Sequence, residues 1–502
     1  MRILLVLVFV AVLTGCGVSK VSYSPTKKYS SEELLDDYSL YRAILEKHHP
    51  SLYWYTSKDS MDAYFNNGQQ RLGDSMTEAE FRRVLSYVTS KINCGHTSVR
   101  SSDAASRYID TTRILKIFPL SMKLWDDTMV VAANLNRRDS ILKRGTVITS
   151  INNRPTREII DSLFEHISTD GYNLTHKYQT LSNRGFFGSL YTSIYGLSDR
   201  YRIGYIDSAG QPGIVIVPVY IPAIDTGARN AIRPITNIPQ PSRKERKHQR
   251  FANTRLLQID TVNHSAMMTL SSFGRGYKLR KFFRRSFRVL EKNNIEHLII
   301  DVRSNGGGSV TNSTFITRYI SDHKFKIGDS LYALKKSSSY NAYIQNNTWN
   351  SLFMVFFTKK KKDGKYHFGY FERHYFKPKK KNHFDGQVYI VTGGNSFSAT
   401  TLFATALMSQ NNVTVVGEET GGGAYGNTAW LIPDVKLPKT GIRFRLPLFR
   451  LVIDKNIPKD GHGVRPEIES KPTVEAIRKG SDFKIEKVME MIKKEQEERR
   501  KY

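Results

Sequence analysis

Ser396 and Ser398 lie where a β-rich run gives way to an apolar helical pattern, inside residues 386–426. Gln387-Val388-Tyr389-Ile390-Val391-Thr392 reads as a short strand and Gly393-Gly394-Asn395 breaks it. After Ser398-Ala399, the residues Leu402, Phe403, Ala406 and Leu407 recur at helical spacing. A serine opening that helix sits among unpaired backbone N–H groups at the positive end of the helix dipole, where a developing oxyanion is stabilised without any side chain. The chemistry this suits is nucleophilic attack on a carbonyl. The plain structural use of the same serine is capping, for which serine is among the favoured residues.

A second glycine-rich turn follows another strand. His297-Leu298-Ile299-Ile300-Asp301-Val302-Arg303 reads as a buried strand running into Ser304-Asn305-Gly306-Gly307-Gly308. Such a turn exposes N–H groups that bind either phosphate or an oxyanion. The Gly-Lys-Ser/Thr ending of a P-loop and the spacing of a dinucleotide fingerprint are both missing, which weakens the nucleotide reading. His96 is the third chemical candidate, in Asn93-Cys94-Gly95-His96-Thr97 just past a helix end.

The elements that must position these residues fall into three regions. Ser30-Ser31-Glu32-Glu33 and Thr77-Glu78-Ala79-Glu80 are capping-box starts. Each is followed by apolar residues at helical spacing, which gives a helical domain over 29–105. Short strands begin near residue 114, and the run at 145–153 with the helical segment 157–166 has the look of half a PDZ module, without the glycine-hydrophobic carboxylate loop. Residues 170–222 read as further strands, so 110–222 is taken as a degenerate PDZ-like and β-rich region. The Pro-, Asn- and Arg-rich stretch 223–252 reads as a basic, mobile linker, and 335–383 as a second basic surface insertion. From residue 253 to 502, strands and helices alternate in βαβ fashion and end in a helix containing Ile485, Val488, Met489 and Ile492.

The chain of 502 residues, 39% hydrophobic, is long enough for two or three folded domains. Arg2, an apolar stretch over 3–13 and Leu13-Thr14-Gly15-Cys16 read as a bacterial lipoprotein signal over 1–16, with Cys16 the lipidated residue and 17–28 a tether. An ordinary secretory signal with an incidental cysteine is the simpler alternative. With Cys16 acylated, Cys94 has no disulfide partner and is expected to be a small buried residue. No cysteine set or His-Glu-x-x-His motif calls for a metal. The formal charge of +30 is spread over scattered runs without a nucleic-acid-binding motif, so it is read as a basic surface facing anionic lipid or cell-wall polymer.

Four segments together, 301–308, 395–400, 417–423 and 461–468, resemble the serine peptidases related to tail-specific (carboxyl-terminal processing) proteases and the tricorn protease core. The resemblance implies a multidomain α/β chain: an N-terminal helical domain, a degenerate PDZ-like module and a crotonase/ClpP-like α/β peptidase core. It implies Ser398 as nucleophile and Gly306, Gly307 and Ala399 as oxyanion donors. Tail-specific members carry a lysine base where this chain has Gly423. The tricorn-like branch uses a histidine, and His96 fits that place. That branch also has a serine where Gly95 stands and a glutamate where Asp460 stands, so Asp460 is the expected support of His96. An ordinary imidazole base would make activity rise near pH ~6–7. The implied activity is hydrolysis of protein or peptide amide bonds through an acyl-enzyme, with no cofactor. A non-catalytic peptide-binding adaptor on the same fold is the other reading.

Overall fold

The computed structural model describes residues 23–108, 115–222 and 241–499. The leader, Cys16, residues 17–22 of the tether and residues 223–240 of the basic linker lie outside the described residues. Three N-terminal helices, α1 (Ser31–His48), α2 (Lys58–Gln70) and α3 (Glu78–Ser90), pack around Tyr38, Tyr41, Phe65, Phe81 and Leu85. Both capping boxes form: Ser30 and Thr77 accept from the third helical N–H, and Glu33 and Glu80 reach back. This core does not close within 29–105. Val435, Leu437, Ile442, Phe444 and Leu446 belong to it, and strand Val99–Arg100 pairs with Arg443–Arg445.

An antiparallel sheet follows, built from β1 (Leu120–Trp125), β2 (Thr128–Asn134), β3 (Val147–Ile151), β4 (Arg200–Ile206) and β5 (Pro212–Pro218) in that order. Three helices accompany it: α4 (Thr156–Phe164), α5 (Leu174–Ser182) and α6 (Phe186–Tyr195). The last two replace strands expected within 170–222. Asn173 caps α5 through the His176 N–H, and Leu181, Phe187 and Tyr191 bury a helical face in the cluster around Phe118 and Tyr201. The aromatic and β-branched content that suggests strands serves packing here. The linker reading ends early as well. Ser242 and Glu245 form a capping box that opens α7 (Arg243–Ala252).

The C-terminal region holds a six-stranded sheet. In spatial order it runs β6 (Arg255–Asp260), β7 (Ser265–Leu270), β8 (His297–Asp301), then Gln387–Thr392, Val413–Gly417 and Ile468–Glu469. Only the first pair is antiparallel. Along the chain, α8 (Leu279–Lys292) and α9 (Val310–Thr317) precede β9 (Ser330–Ala333), α10 (Asn347–Phe357) and α11 (Gly369–Arg373). Then come β10 (Gln387–Thr392), α12 (Ala399–Thr405), β11 (Val413–Gly417), β12 (Gly426–Ala429), β13 (Phe449–Val452), β14 (Ile468–Glu469) and α13 (Phe483–Arg499).

Alternate residues of the central strands serve two cores. Leu298, Ile300, Val388, Ile390 and Val415 meet Phe283, Phe287 and Phe403 on one face. Ile299, Tyr389, Val391 and Val416 meet Val488 and Ile492 of α13 on the other. Burial on both faces explains why β8 and β10 are nearly continuous apolar runs. Each such side chain contributes about 1.5–3 kcal/mol.

The insertion 335–383 is not only a surface feature. Ile344 enters the helical-domain core, and Lys359–Lys360 and Tyr366–His367 extend a five-stranded antiparallel sheet through β9 and β13 to β12.

Candidate active site

Parallel pairing aligns the strand ends: Asp301 lies opposite Val391, and Thr392 opposite Gly417. The loops after β8, β10 and β11 therefore leave the same edge of the sheet, the edge at which open α/β sheets bind ligands. Arg303 fixes the first loop by bonding both Asp301, at 2.8 Å, and Asp482 at the start of α13, at 2.5 Å. Lys484 pins the other two. Its ammonium donates to the Thr392 carbonyl at 2.8 Å and pairs with Glu418 at 2.6 Å, in a site buried enough to lower its pKa.

The two serines separate cleanly. Ser396 is fully buried, donates through Oγ to the Val302 carbonyl at 2.8 Å and accepts from the Gly393 N–H at 3.2 Å. It is a tie between the β8 and β10 loops. Ser398 is partly exposed and makes no capping hydrogen bond. Its backbone sits at φ 59°, ψ −120°, a conformation that costs a non-glycine residue about 1–3 kcal/mol and is held here by its surroundings. Local sequence suits Ser398 as a cap, but the side chain is not spent that way.

Gly307 packs directly on this turn. Its φ is +94°, and a Cβ there would stand 2.6 Å from the Phe397 carbonyl oxygen, 2.8 Å from Ser398 Cβ and 2.9 Å from the Ala399 nitrogen. Only glycine permits that approach. The Phe397 N–H also donates to the Asn305 carbonyl, at 3.1 Å. Of the three expected oxyanion donors, Gly307 already gives its N–H to Asn305 Oδ1 at 2.9 Å. The N–H of Ala399, at the first helical position, has no intrahelical acceptor, and that of the exposed Gly306 makes no hydrogen bond among the described residues.

His96 reaches this turn from the helical domain. Its ring lies 4.9 Å, centre to centre, from that of Phe397, the residue before Ser398. The imidazole is buried, and neither nitrogen has a hydrogen-bond partner among the described residues. Burial, with the charge of Arg445 and nearby His176, pushes its pKa down to about 3 rather than leaving it in the ordinary range.

The carboxylate beside it is not the expected one. Asp460 is exposed, accepts from the His462 N–H at 3.0 Å and pairs with Arg465 at 3.1 Å, so its lone pairs are used within its own loop. Asp170 stands 4.0 Å from His96 Nδ1, is buried, and accepts from the N–H of Gly95 at 2.8 Å and of Gly423 at 3.4 Å. Burial pushes its carboxyl up to about 6, against the opposing pull of those two N–H groups and of Arg450.

The two departures from the peptidase pattern also find reasons. A Cβ on Gly95 would run into the Phe397 ring, so the ring occupies the space of a serine side chain. A Cβ on Gly423 would meet the Gly426 carbonyl oxygen at 2.7 Å, which leaves no course for a lysine side chain without a backbone shift.

Sequence reading passed over Asp170, Asn173 and His176 because 170–222 read as strands. Asn173 donates to the Thr420 carbonyl at 2.5 Å and to Glu419 at 3.1 Å, and His176 Nδ1 lies 2.8 Å from the Gly394 carbonyl oxygen. The Asp170-Gly171 pair ahead of an asparagine cap was the available signal.

Residues 264–470 match the model of peptidase family S41. The chain carries a peptidase domain of that family. The matched span contains Ser398 and all three glycine loops, whereas His96 and Asp170 come from outside it. Among solved structures, the fold is similar to mature CPAF complexed with lactacystin, at TM-score 0.63 and 14% identity over 92% of this chain and 98% of that one. It is also similar to mature CPAF, at TM-score 0.60 and 14% identity over 89% and 94%. At such identity the likeness speaks for the fold alone. The tricorn protease aligns at TM-score 0.40 and 14% identity over 92% of this chain and 37% of that one. No curated protein matches the sequence. Among the described residues, no group of three His, Cys, Asp or Glu is placed to hold a metal.

Proposed function

We propose that this S41-family chain is an exported, lipid-anchored serine endopeptidase that cleaves protein or peptide amide bonds through an acyl-enzyme. The observation that carries the reading is the strained, uncapped Ser398, with the unspent Ala399 and Gly306 N–H groups beside it and the His96 ring packed on Phe397. Ser398 Oγ attacks the scissile carbonyl as His96 takes its proton, and the oxyanion lies against the Ala399 and Gly306 N–H groups. His96 returns the proton to the departing amine, and water then attacks the ester by the reverse path to release the acid and free Ser398. In this scheme Asp170, in place of Asp460, faces the imidazolium formed in each half-reaction. The leader ending in Leu13-Thr14-Gly15-Cys16 supports a location in the bacterial envelope, held by acylated Cys16 and facing outside the cytoplasm.

The adaptor reading draws on Gly423 in the place of a lysine, Gly95 in the place of a serine, and a His96 ring without a hydrogen bond among the described residues. A fluorophosphonate probe decides between the two, because acylation needs an activated hydroxyl and peptide binding does not. Labelling of the wild type and its loss in folded Ser398→Ala is expected. An unlabelled wild type would leave the adaptor. Loss of palmitate incorporation in Cys16→Ser checks the anchor.

A further inference from the structure

Helix α10 contains no charged residue and turns much of its apolar surface outward. Trp349, Leu352, Val355 and Phe356 are 76%, 42%, 53% and 74% exposed, at helical spacing, while Met354 on the other side is buried. Phe357 continues the patch: its ring lies 6.2 Å from Phe368, which lies 6.4 Å from Tyr370 on α11. A contiguous exposed apolar surface of this kind marks an interaction site.

The segment that carries it is largely of one sign. Residues 335–383 hold twelve lysines and arginines and two acids. Both acids are occupied, Glu372 by His367 and Lys361 and Asp363 by His367. Lys359, Lys360 and Lys362, directly after α10, are exposed and make no ion pair among the described residues. A second copy of a chain carrying a formal charge of +30 would set like charges face to face here. Aromatic and aliphatic side chains rimmed by unpaired lysines match the boundary between anionic headgroups and acyl chains.

We infer that α10 and the lysine-rich strand beside it form a non-covalent contact with an anionic lipid bilayer, seating Trp349, Leu352 and Phe356 at the headgroup boundary. This contact does not depend on the catalytic reading and is separate from acylation at Cys16.

The test uses the full chain carrying Cys16→Ser, so that no acyl chain contributes. Vesicles of phosphatidylglycerol and brominated phosphatidylcholine should quench and blue-shift tryptophan fluorescence, and high salt should reverse both changes. Vesicles of brominated phosphatidylcholine alone should do neither. Trp349→Phe should remove the quenching, and Leu352→Ser/Phe356→Ser should weaken binding at least about tenfold, with circular dichroism confirming the fold. Quenching that persists in Trp349→Phe, equal response to neutral vesicles, or a dimer in sedimentation velocity that Phe356→Ser dissolves would each overturn the inference.

Discussion

At the residue scale, the two serines of the turn have opposite fates in the structure. Ser396 spends its hydroxyl on the Val302 carbonyl and the Gly393 N–H. Ser396→Ala should therefore keep fluorophosphonate labelling at Ser398 but lose about 1–3 kcal/mol of stability in urea unfolding, the cost of stranding buried polar groups. On the proposed mechanism, the pH behaviour belongs to Asp170 rather than to an ordinary imidazole. His96 is neutral above its depressed value of about 3, so it does not itself titrate in the neutral range. Asp170, pushed up to about 6, is protonated and uncharged below that pH and becomes a carboxylate above it. Only the carboxylate favours the imidazolium, so peptide turnover should rise with pH through about 6. Asp170→Asn should flatten that limb and lower turnover above it at least tenfold, the equivalent of about 1.4 kcal/mol. A wild-type limb unchanged in Asp170→Asn would remove Asp170 from the mechanism.

At the scale of elements, the site depends on how α13 holds the ends of β10 and β11. Lys484 reaches under the sheet edge to Thr392 and Glu418. Lys484→Met leaves the largely buried Glu418 carboxylate without its ion-pair partner and should cost about 3–5 kcal/mol. The double variant Glu418→Gln/Lys484→Met should recover most of the loss, since the uncompensated charge is gone. Urea midpoints of the three proteins measure this. Helices α5 and α6 show the limit of local reading. Their aromatic and β-branched residues favour strands in isolation, yet their spacing buries Leu181, Phe187 and Tyr191 against β-sheet neighbours. The chain turn between β10 and α12 was legible because its glycines, serine and apolar spacing all act over a few residues.

Over the whole molecule, the helical domain and the peptidase core are not independent. Phe444, from the C-terminal half, is fully buried in the helical domain and meets Tyr41 edge-on at 5.1 Å. Phe444→Ala should cost about 3–5 kcal/mol and lower one cooperative unfolding transition. Two separate transitions in the wild type, with only one shifted, would show that the helical domain folds alone. This union also brings His96 to Phe397, so a substitution in the helical domain can disturb the turn that carries Ser398.

By itself, the sequence determined the strand–turn–helix around Ser398, the glycine loop at 306–308, the capped helices of the first domain and the α/β character of the core. Each rests on periodicity or turn chemistry within one short segment. Tertiary structure alone decided that Asp170 rather than Asp460 faces His96 and that Gly307 spends its N–H on Asn305. It also decided that the Phe397 ring takes the space beside Gly95. Those outcomes depend on which loops meet after the sheets and helices have packed, and on whose lone pairs are already used when they do.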